Sequence, residues 1–73
     1  MTILELLDYV THNIKKNHTI FKSMCDNYYD LIYINEELYH YDKIKDDIRI
    51  LTAGSIMSMI WDNVKFEVQN ENI

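Results

Sequence analysis

Residues whose chemistry could support catalysis or metal binding are few in this sequence. It holds one cysteine, Cys25, and three histidines, His12, His18 and His40, and their spacing matches no metal-binding or catalytic motif. A cysteine and a histidine alone do not define an activated nucleophile, and an isolated cysteine more often packs as a small apolar side chain. We therefore expect neither an enzyme nor a metal site, and no cofactor.

Two pairs of adjacent carboxylates, Glu36-Glu37 and Asp46-Asp47, could in principle bind a cation. They lack the alternating spacing with a central glycine that arranges oxygen ligands around calcium. The one glycine, Gly54, cannot form a phosphate-binding loop, because such a loop needs several glycines. The carboxylate pairs are therefore predicted to be turn residues that interrupt apolar runs.

The stretch from Cys25 to Asp47 concentrates tyrosine and acidic side chains. It contains five of the six tyrosines and seven of the twelve acidic residues, against only Lys43 and Lys45, so it carries the whole net charge of −5. Tyrosine is common at the energetic centre of interfaces. We expect this stretch to bind a partner, with tyrosines as anchors and carboxylates in place of phosphates. The predicted partner-binding residues are Tyr29, Asp30, Tyr33, Glu36, Glu37, Tyr39, Tyr41, Asp42, Asp46 and Asp47.

The surrounding pattern predicts an α+β fold in one domain, 1–73, in which an N-terminal amphipathic helix packs on a small antiparallel sheet. Thr2 and Glu5 form a capping box at the start of a helix over 2–16. Its apolar stripe comprises Ile3, Leu6, Leu7, Val10 and Ile14. Strands are predicted at 19–24, 28–34, 38–44, 48–51 and 64–68, and a short second helix over about 54–62 precedes the last strand.

The second helix has two candidate caps, Thr52 and Ser55, and Trp61 is predicted to anchor it. An all-helical fold is the alternative to this arrangement. Apolar residues from Leu31 to Leu51 also fit helical spacing, and no proline or glycine interrupts them. The β-branched and aromatic residues of that stretch favour strands.

The turns decide which side chains share a face of the sheet. Asp26-Asn27 is predicted to join the first two strands, and 35–37 the next two, with Ile34 opposite Leu38. That register gives an aliphatic face comprising Ile32, Ile34, Leu38 and Ile44. The opposite face comprises Tyr29, Leu31, Tyr33, Tyr39, Tyr41 and Lys43. We expect the first helix to cover the aliphatic face, although a helix over the tyrosines is the alternative.

Charge, cysteine content and length narrow the classes of function. The pI near 4.9 argues against direct nucleic-acid binding, which needs basic patches, and favours a basic partner such as another protein's nucleic-acid-binding groove. One cysteine, no apolar leader and no apolar run near the roughly 20 residues of a membrane span predict a cytoplasmic protein of a bacterial host cell. Because 73 residues build only a small core, a homodimer is a further expectation.

The heavy use of Ile, Asn, Lys and Tyr is typical of a low-GC bacterium or its phages. The chain resembles small proteins carried by phages and prophages of such bacteria, on the segments ILELLDYVTHNI, YYDLIYINEELYHY and DNVKFEV. This group includes anti-CRISPR proteins, which often block a nuclease by protein contact and are often acidic DNA mimics. It also includes Thoeris anti-defence proteins, which sequester a nucleotide signal. The resemblance assigns no individual residues.

Three hypotheses of function follow. The first is a non-enzymatic, phage-derived inhibitor of a host defence protein, with a CRISPR effector foremost, whose basic groove the acidic residues occupy. The second is an oligomeric sponge that buries a nucleotide between subunits with tyrosines stacked on the base. Arg49, the only arginine, is the one guanidinium available for phosphate in that case. The third is a phage structural or regulatory protein that completes an assembly.

Overall fold

A computed structural model describes residues 1–12 and 18–69 of the chain. The elements in chain order are α1 (Ile3–His12), β1 (Thr19–Ser23), β2 (Asp30–Ile34), β3 (Glu37–Asp42), β4 (Asp47–Ile50), α2 (Ala53–Trp61) and β5 (Phe66–Gln69). The strands form one antiparallel sheet in the order β4-β3-β2-β1-β5. The predicted α+β fold, with one helix before the sheet and another before the last strand, is confirmed, and the all-helical alternative is wrong.

The start of α1 is fixed by the predicted capping box. The backbone N–H of Thr2 donates to Glu5 Oε1 at 2.7 Å, and the backbone N–H of Glu5 donates to Thr2 Oγ1 at 3.3 Å. The first of these bonds stabilises the ionised carboxylate and lowers the pKa of Glu5. The predicted last turn of this helix lies outside the described residues, including Ile14 of the apolar stripe. No helix within 1–12 and 18–69 is long and apolar enough to cross a membrane.

The cap of α2 is Thr52, whose Oγ1 accepts the backbone N–H of Ser55 at 3.1 Å. Met59 is the side chain that α2 buries fully. Trp61 is 89% exposed, so its predicted role as the anchor of α2 is wrong. Trp61 is two positions after Met59, which places them about 200° apart around an α-helix. Trp61 therefore lies on the side of α2 that faces away from the core.

The hydrophobic core lies between the two helices and one face of the sheet. Its fully buried side chains are Ile3, Leu6, Phe21, Leu31, Met59, Val64 and Phe66. The ring of Tyr9 on α1 packs edge-on against Phe21, with 6.0 Å between ring centroids. We name this side of the sheet the core face, and its central residues are Phe21, Leu31, Tyr33, Leu38 and Phe66.

The register between β2 and β3 differs from the predicted one by one residue. Ile34 lies opposite Glu37, and Tyr33 lies opposite Leu38. The connecting turn has two residues, Asn35 and Glu36, with φ of 50° and 70°. A two-residue turn with positive φ at both positions has the twist that antiparallel strands require. The predicted pairing of Ile34 with Leu38 across a three-residue loop is therefore wrong.

This shift changes the composition of both faces, because strand side chains alternate and a slip of one residue moves them to the other side. Leu31 and Leu38 share the core face with Tyr33, whereas Tyr39 and Tyr41 lie on the opposite face with the isoleucines of β2. Neither a purely aliphatic face nor a face with all four predicted tyrosines forms. The first helix covers the face that contains Leu31, which the sequence had grouped with the tyrosines.

The remaining connections are close to their predicted places. The backbone N–H of Tyr28 donates to the carbonyl of Cys25 at 3.1 Å, which confirms a turn with Asp26-Asn27 at its centre. The whole connection is longer, because β1 ends at Ser23 and β2 begins after residue 29. The turn between β3 and β4 occupies 43–46, so it ends one residue earlier than the predicted Asp46-Asp47 turn.

Candidate functional site

One face of the sheet is left uncovered by both α1 and α2. We name it the open face. Its apolar and aromatic side chains are Ile20, Ile32, Ile34, Tyr39, Tyr41, Ile48 and Ile50. Ile32 at the centre is only 6% exposed, whereas Ile48 and Ile50 on the edge strand β4 are 45% and 75% exposed. An exposed apolar patch of this kind commonly marks an interaction surface.

The two tyrosines of the open face hold carboxylates at its margin. Tyr39 Oη donates to Glu37 Oε1 at 3.1 Å, and Tyr41 Oη donates to Asp46 Oδ1 at 2.9 Å. The bond to Glu37 favours the neutral phenol and raises the pKa of Tyr39. Each pair therefore presents an aromatic ring and an oriented negative charge side by side.

The charged side chains that the strands place on the open face are predominantly acidic. They are Lys22, Asp30, Glu37 and Glu67. The carboxylate of Asp46 adds a further negative charge through its bond to Tyr41. The open face is thus an apolar centre of isoleucine and tyrosine with an acidic margin, a layout that resembles the apolar core and polar rim of protein interfaces.

Two predicted binding residues, at the end of β3 and the start of β4, contact their neighbours in the chain. Asp42 Oδ1 accepts the backbone N–H groups of Ile44 and Lys45 at 3.1 and 3.4 Å. Asp47 Oδ2 accepts the Nε–H of Arg49 at 3.0 Å, and this contact raises the pKa of the guanidinium. Both carboxylates are therefore already engaged by neighbours in the chain.

Of the ten predicted binding residues, the structure brings five together at the open face. These are Asp30, Glu37, Tyr39, Tyr41 and Asp46. Tyr33 is half-buried on the core face, and Tyr29 packs against His40 on that same side, with 6.1 Å between ring centroids. Glu36 lies in the β2–β3 turn. The single tyrosine surface that the sequence predicts is therefore divided between the two sides of the sheet.

A pocket of about 390 Å³ lies at one end of the sheet, between the 24–29 loop and the 43–46 turn, and residues from both faces line it. Its lining residues are Lys22, Ser23, Cys25, Asp26, Tyr28, Tyr29, Asp30, Tyr41, Asp42, Lys43 and Ile44. Asp30 and Tyr41 lie opposite each other in β2 and β3 and belong to both the pocket and the open face. We name this cavity the Asp30 pocket.

Asp30 is the buried charged residue of the pocket, with 9% of its surface exposed. Its Oδ1 accepts the backbone N–H of Ser23 at 2.8 Å, which ties β2 to the end of β1. Its Oδ2 is buried and has no hydrogen-bond partner among the residues that the structure describes. Buried polar atoms are normally paired, so this oxygen is an unused acceptor.

The 24–29 loop that walls the pocket is tied to α2. Tyr28 Oη donates to the carboxylate of Asp62, the residue that ends the helix, and this bond raises the pKa of Tyr28. The sequence alone does not predict the pocket, because its walls come from two connections that meet only in the folded sheet. The one sequence signal was Asp30 itself, a charged residue within the otherwise apolar run YYDLIYI.

The candidate catalytic side chains are scattered. His40 is half-buried, burial lowers its pKa, and its Nδ1 has no partner within the described part of the chain. His12 lies on the surface of α1, with Nδ1 3.2 Å from Asp8 Oδ1. Cys25 is partly buried against the core. No group of three or more His, Cys, Asp or Glu within 1–12 and 18–69 is placed to hold a metal ion.

The fold and the site together define an α+β protein whose sheet is covered by helices on one face, with an acid-edged apolar surface and an adjoining pocket on the other. Comparison of the chain with protein families, with curated proteins and with solved structures finds no match.

Proposed function

We propose that this protein is a non-enzymatic binding protein that docks its open face into a basic groove of a partner protein. The partner is a nucleic-acid-binding effector of bacterial defence, with a CRISPR nuclease as the first candidate, and the site of action is the cytoplasm of the bacterial host. The observation that carries the proposal is the open face itself, an apolar surface that α1 and α2 leave uncovered, with carboxylates held at its margin.

Charge complementarity supports a basic partner. A groove that binds nucleic acid is lined with Lys and Arg, which neutralise phosphates. The chain carries a net charge of −5, and Glu37, Asp46 and Glu67 lie at or beside the open face. Such charges steer association and fix the orientation of the complex more than they add affinity.

The apolar centre of the open face supplies the affinity in this proposal. Tyr39 and Tyr41 offer large rigid rings, and Ile48 and Ile50 offer exposed aliphatic surface. Removing such surface from water contributes roughly 25 cal/mol per Å² before the costs of association are counted. Tyr33, Glu36 and Asp47 are not part of this contact surface in the proposal, and Tyr29 and Asp42 line the adjoining pocket.

Inhibition of purified CRISPR nucleases tests the proposal directly. Cleavage of target DNA is measured for a panel of effectors from low-GC bacteria, with the protein added in increasing amounts. Ile50→Lys should weaken inhibition by about tenfold or more, because it places a cation on the open face toward a basic groove. Met57→Lys is the matched control, since Met57 is 68% exposed on α2 and its substitution should leave inhibition unchanged.

Two results would contradict the proposal. One is that no effector in the panel is inhibited at any protein concentration. The other is that Ile50→Lys and Met57→Lys behave alike. The association rate adds a test of the electrostatic part, because steering by opposite charge weakens as salt screens it. An association rate that does not change with ionic strength would remove the nucleic-acid mimicry from the proposal.

A further inference from the structure

We propose that the Asp30 pocket receives an arginine side chain of the partner, whose guanidinium donates to Asp30 Oδ2. This inference rests on the proposed function, because the pocket adjoins the open face through Asp30 and Tyr41, which belong to both. A partner segment lying across the open face can therefore send one side chain into the pocket.

Only one of the two carboxylate oxygens of Asp30 has a hydrogen-bond donor among the described residues. The backbone N–H of Ser23 occupies Oδ1, and this contact fixes the direction of the carboxylate. Oδ2 is buried without a partner among the described residues. A buried carboxylate oxygen without a donor is costly, and a charged donor gives the stronger, shorter kind of hydrogen bond. Because Oδ2 is shielded from solvent, a guanidinium that enters the pocket reaches it by moving the side chains that cover it, and then meets an acceptor of fixed direction.

The walls of the pocket favour a planar cation. Three tyrosines line the pocket, namely Tyr28, Tyr29 and Tyr41. Aromatic rings attract cations, and a planar guanidinium can stack on a ring while its N–H groups donate sideways to a carboxylate. These properties favour arginine over lysine, whose ammonium group is compact and strongly hydrated.

The charged lining and the volume of the Asp30 pocket also fit an arginine side chain. Asp26, Asp30 and Asp42 line the pocket together with Lys22 and Lys43, so the acidic groups exceed the basic ones. An anionic ligand such as a nucleotide would place its phosphate near these carboxylates. The volume of about 390 Å³ lies near the lower end of ligand pockets, which span about 300–1,000 Å³. A single long side chain fits within this volume.

The test uses the full chain and a short probe, so it needs no identified partner. A glycine–arginine–glycine peptide with blocked ends is titrated into isotope-labelled protein, and the backbone amide signals are followed by NMR. The amides of Ser23, Asp30 and Tyr41 should shift, and those of α1 should not. The same peptide with neutral citrulline in place of arginine should cause no shift.

Two further probes test whether the pocket prefers a free amine or a nucleotide to a guanidinium. Spermidine tests for a free amine, and AMP tests for a nucleotide. Binding of spermidine or AMP at least as tight as that of the arginine peptide would overturn the inference. Equal binding of the citrulline peptide would overturn it as well, since the guanidinium would then contribute nothing.

Two variants with opposite expected effects test the residues. Asp30→Asn keeps the shape and an acceptor for Ser23 but removes the charge, and it should weaken the arginine peptide by about tenfold or more. Lys43→Gln removes a competing cation from an exposed turn position and should strengthen binding by about twofold. Asp8→Asn, the same change on the exposed surface of α1, should have no effect. A wild-type affinity in both pocket variants would contradict the inference.

The same measurements distinguish a failure of the pocket inference from a failure of the proposed function. Ile50→Lys should bind the arginine peptide as the wild type does while losing inhibition of the effector. If the peptide does not bind but the contrast between Ile50→Lys and Met57→Lys holds, the pocket inference fails and the proposed function stands. If the peptide binds and no effector is inhibited, the proposed partner is wrong and the pocket remains.

Discussion

Ile34 and Glu37 lie directly opposite each other across the two-residue turn Asn35-Glu36. This pairing places Ile34 beside the Glu37–Tyr39 hydrogen bond and so builds one corner of the open face. Both turn residues have positive φ, 50° for Asn35 and 70° for Glu36. A short acidic turn thus determines which side chains the sheet exposes.

The turn predicts a stabilising substitution, Glu36→Gly. A residue with a Cβ atom at positive φ costs about 1–2 kcal/mol, and asparagine followed by glycine is the preferred sequence for this turn. Glycine also raises the conformational entropy of the unfolded chain, which offsets part of this gain. We therefore expect the free energy of unfolding to rise by a net of about 1 kcal/mol. Urea unfolding followed by circular dichroism measures this change. Glu37→Gly, one residue later in β3, should lower stability, and the same sign for both variants would contradict the observed register.

The exposed position of Trp61 predicts that its removal is tolerated. Trp61→Ala should change the free energy of unfolding by no more than about 0.5 kcal/mol, as for other surface substitutions. Phe66→Ala should cost about 3–5 kcal/mol, because Phe66 is 1% exposed in the core.

Fluorescence gives an independent test of the same feature. Trp61 is the single tryptophan, so its emission reports on this position alone. The native spectrum should resemble that of tryptophan in water and change little on unfolding. A blue-shifted native spectrum, or a large loss of stability in Trp61→Ala, would show that the side chain is buried.

The capping box predicts how α1 responds to acid. Thr2→Ala should cost about 1 kcal/mol, the usual value for a lost cap. The pKa of Glu5 is lowered in the folded state, so its carboxylate stabilises the fold above the ordinary pKa, and this contribution is lost as the pH falls through the lowered one. Glu5→Gln should therefore be less stable than the wild type at neutral pH and match it in strong acid. Glu67→Gln, on β5, is the control, and a constant difference between Glu5→Gln and the wild type across this range would contradict the assignment.

The sequence was sufficient to predict the helices and strands whose patterns involve only neighbouring residues. The T-x-x-E pattern predicts the start of α1, one of the two candidate caps, Thr52, starts α2, and strict alternation predicts β5, although the strand begins two residues later than predicted. Each of these features depends on residues within a few positions of one another, so no knowledge of the tertiary structure was needed.

The sequence was insufficient where a feature depends on two distant segments. A separation of aliphatic from aromatic residues predicts the wrong faces for the hairpin, because Leu31 is buried in the core and both Leu38 and Tyr33 pack against it. The register between β2 and β3 depends on the left-handed conformation of Glu36, which a glutamate does not predict. The Asp30 pocket likewise requires two connections to meet, and Trp61 was assigned by its size and not by its helical angle.

His40 predicts a loss of stability in mild acid. Burial lowers its pKa in the folded state below the unfolded value of about 6.5, so the unfolded chain binds more protons at that pH. The contribution is complete above about pH 6.5 and is lost as the pH falls from there toward the lowered pKa. His40→Gln should therefore show a weaker decline of the urea midpoint between about pH 7.5 and 5.5 than the wild type. His12→Gln, at an exposed position of α1, should decline as the wild type does. An unchanged slope in His40→Gln would mean that the imidazole is not protected from water, and the described packing of Tyr29 against it would then need revision.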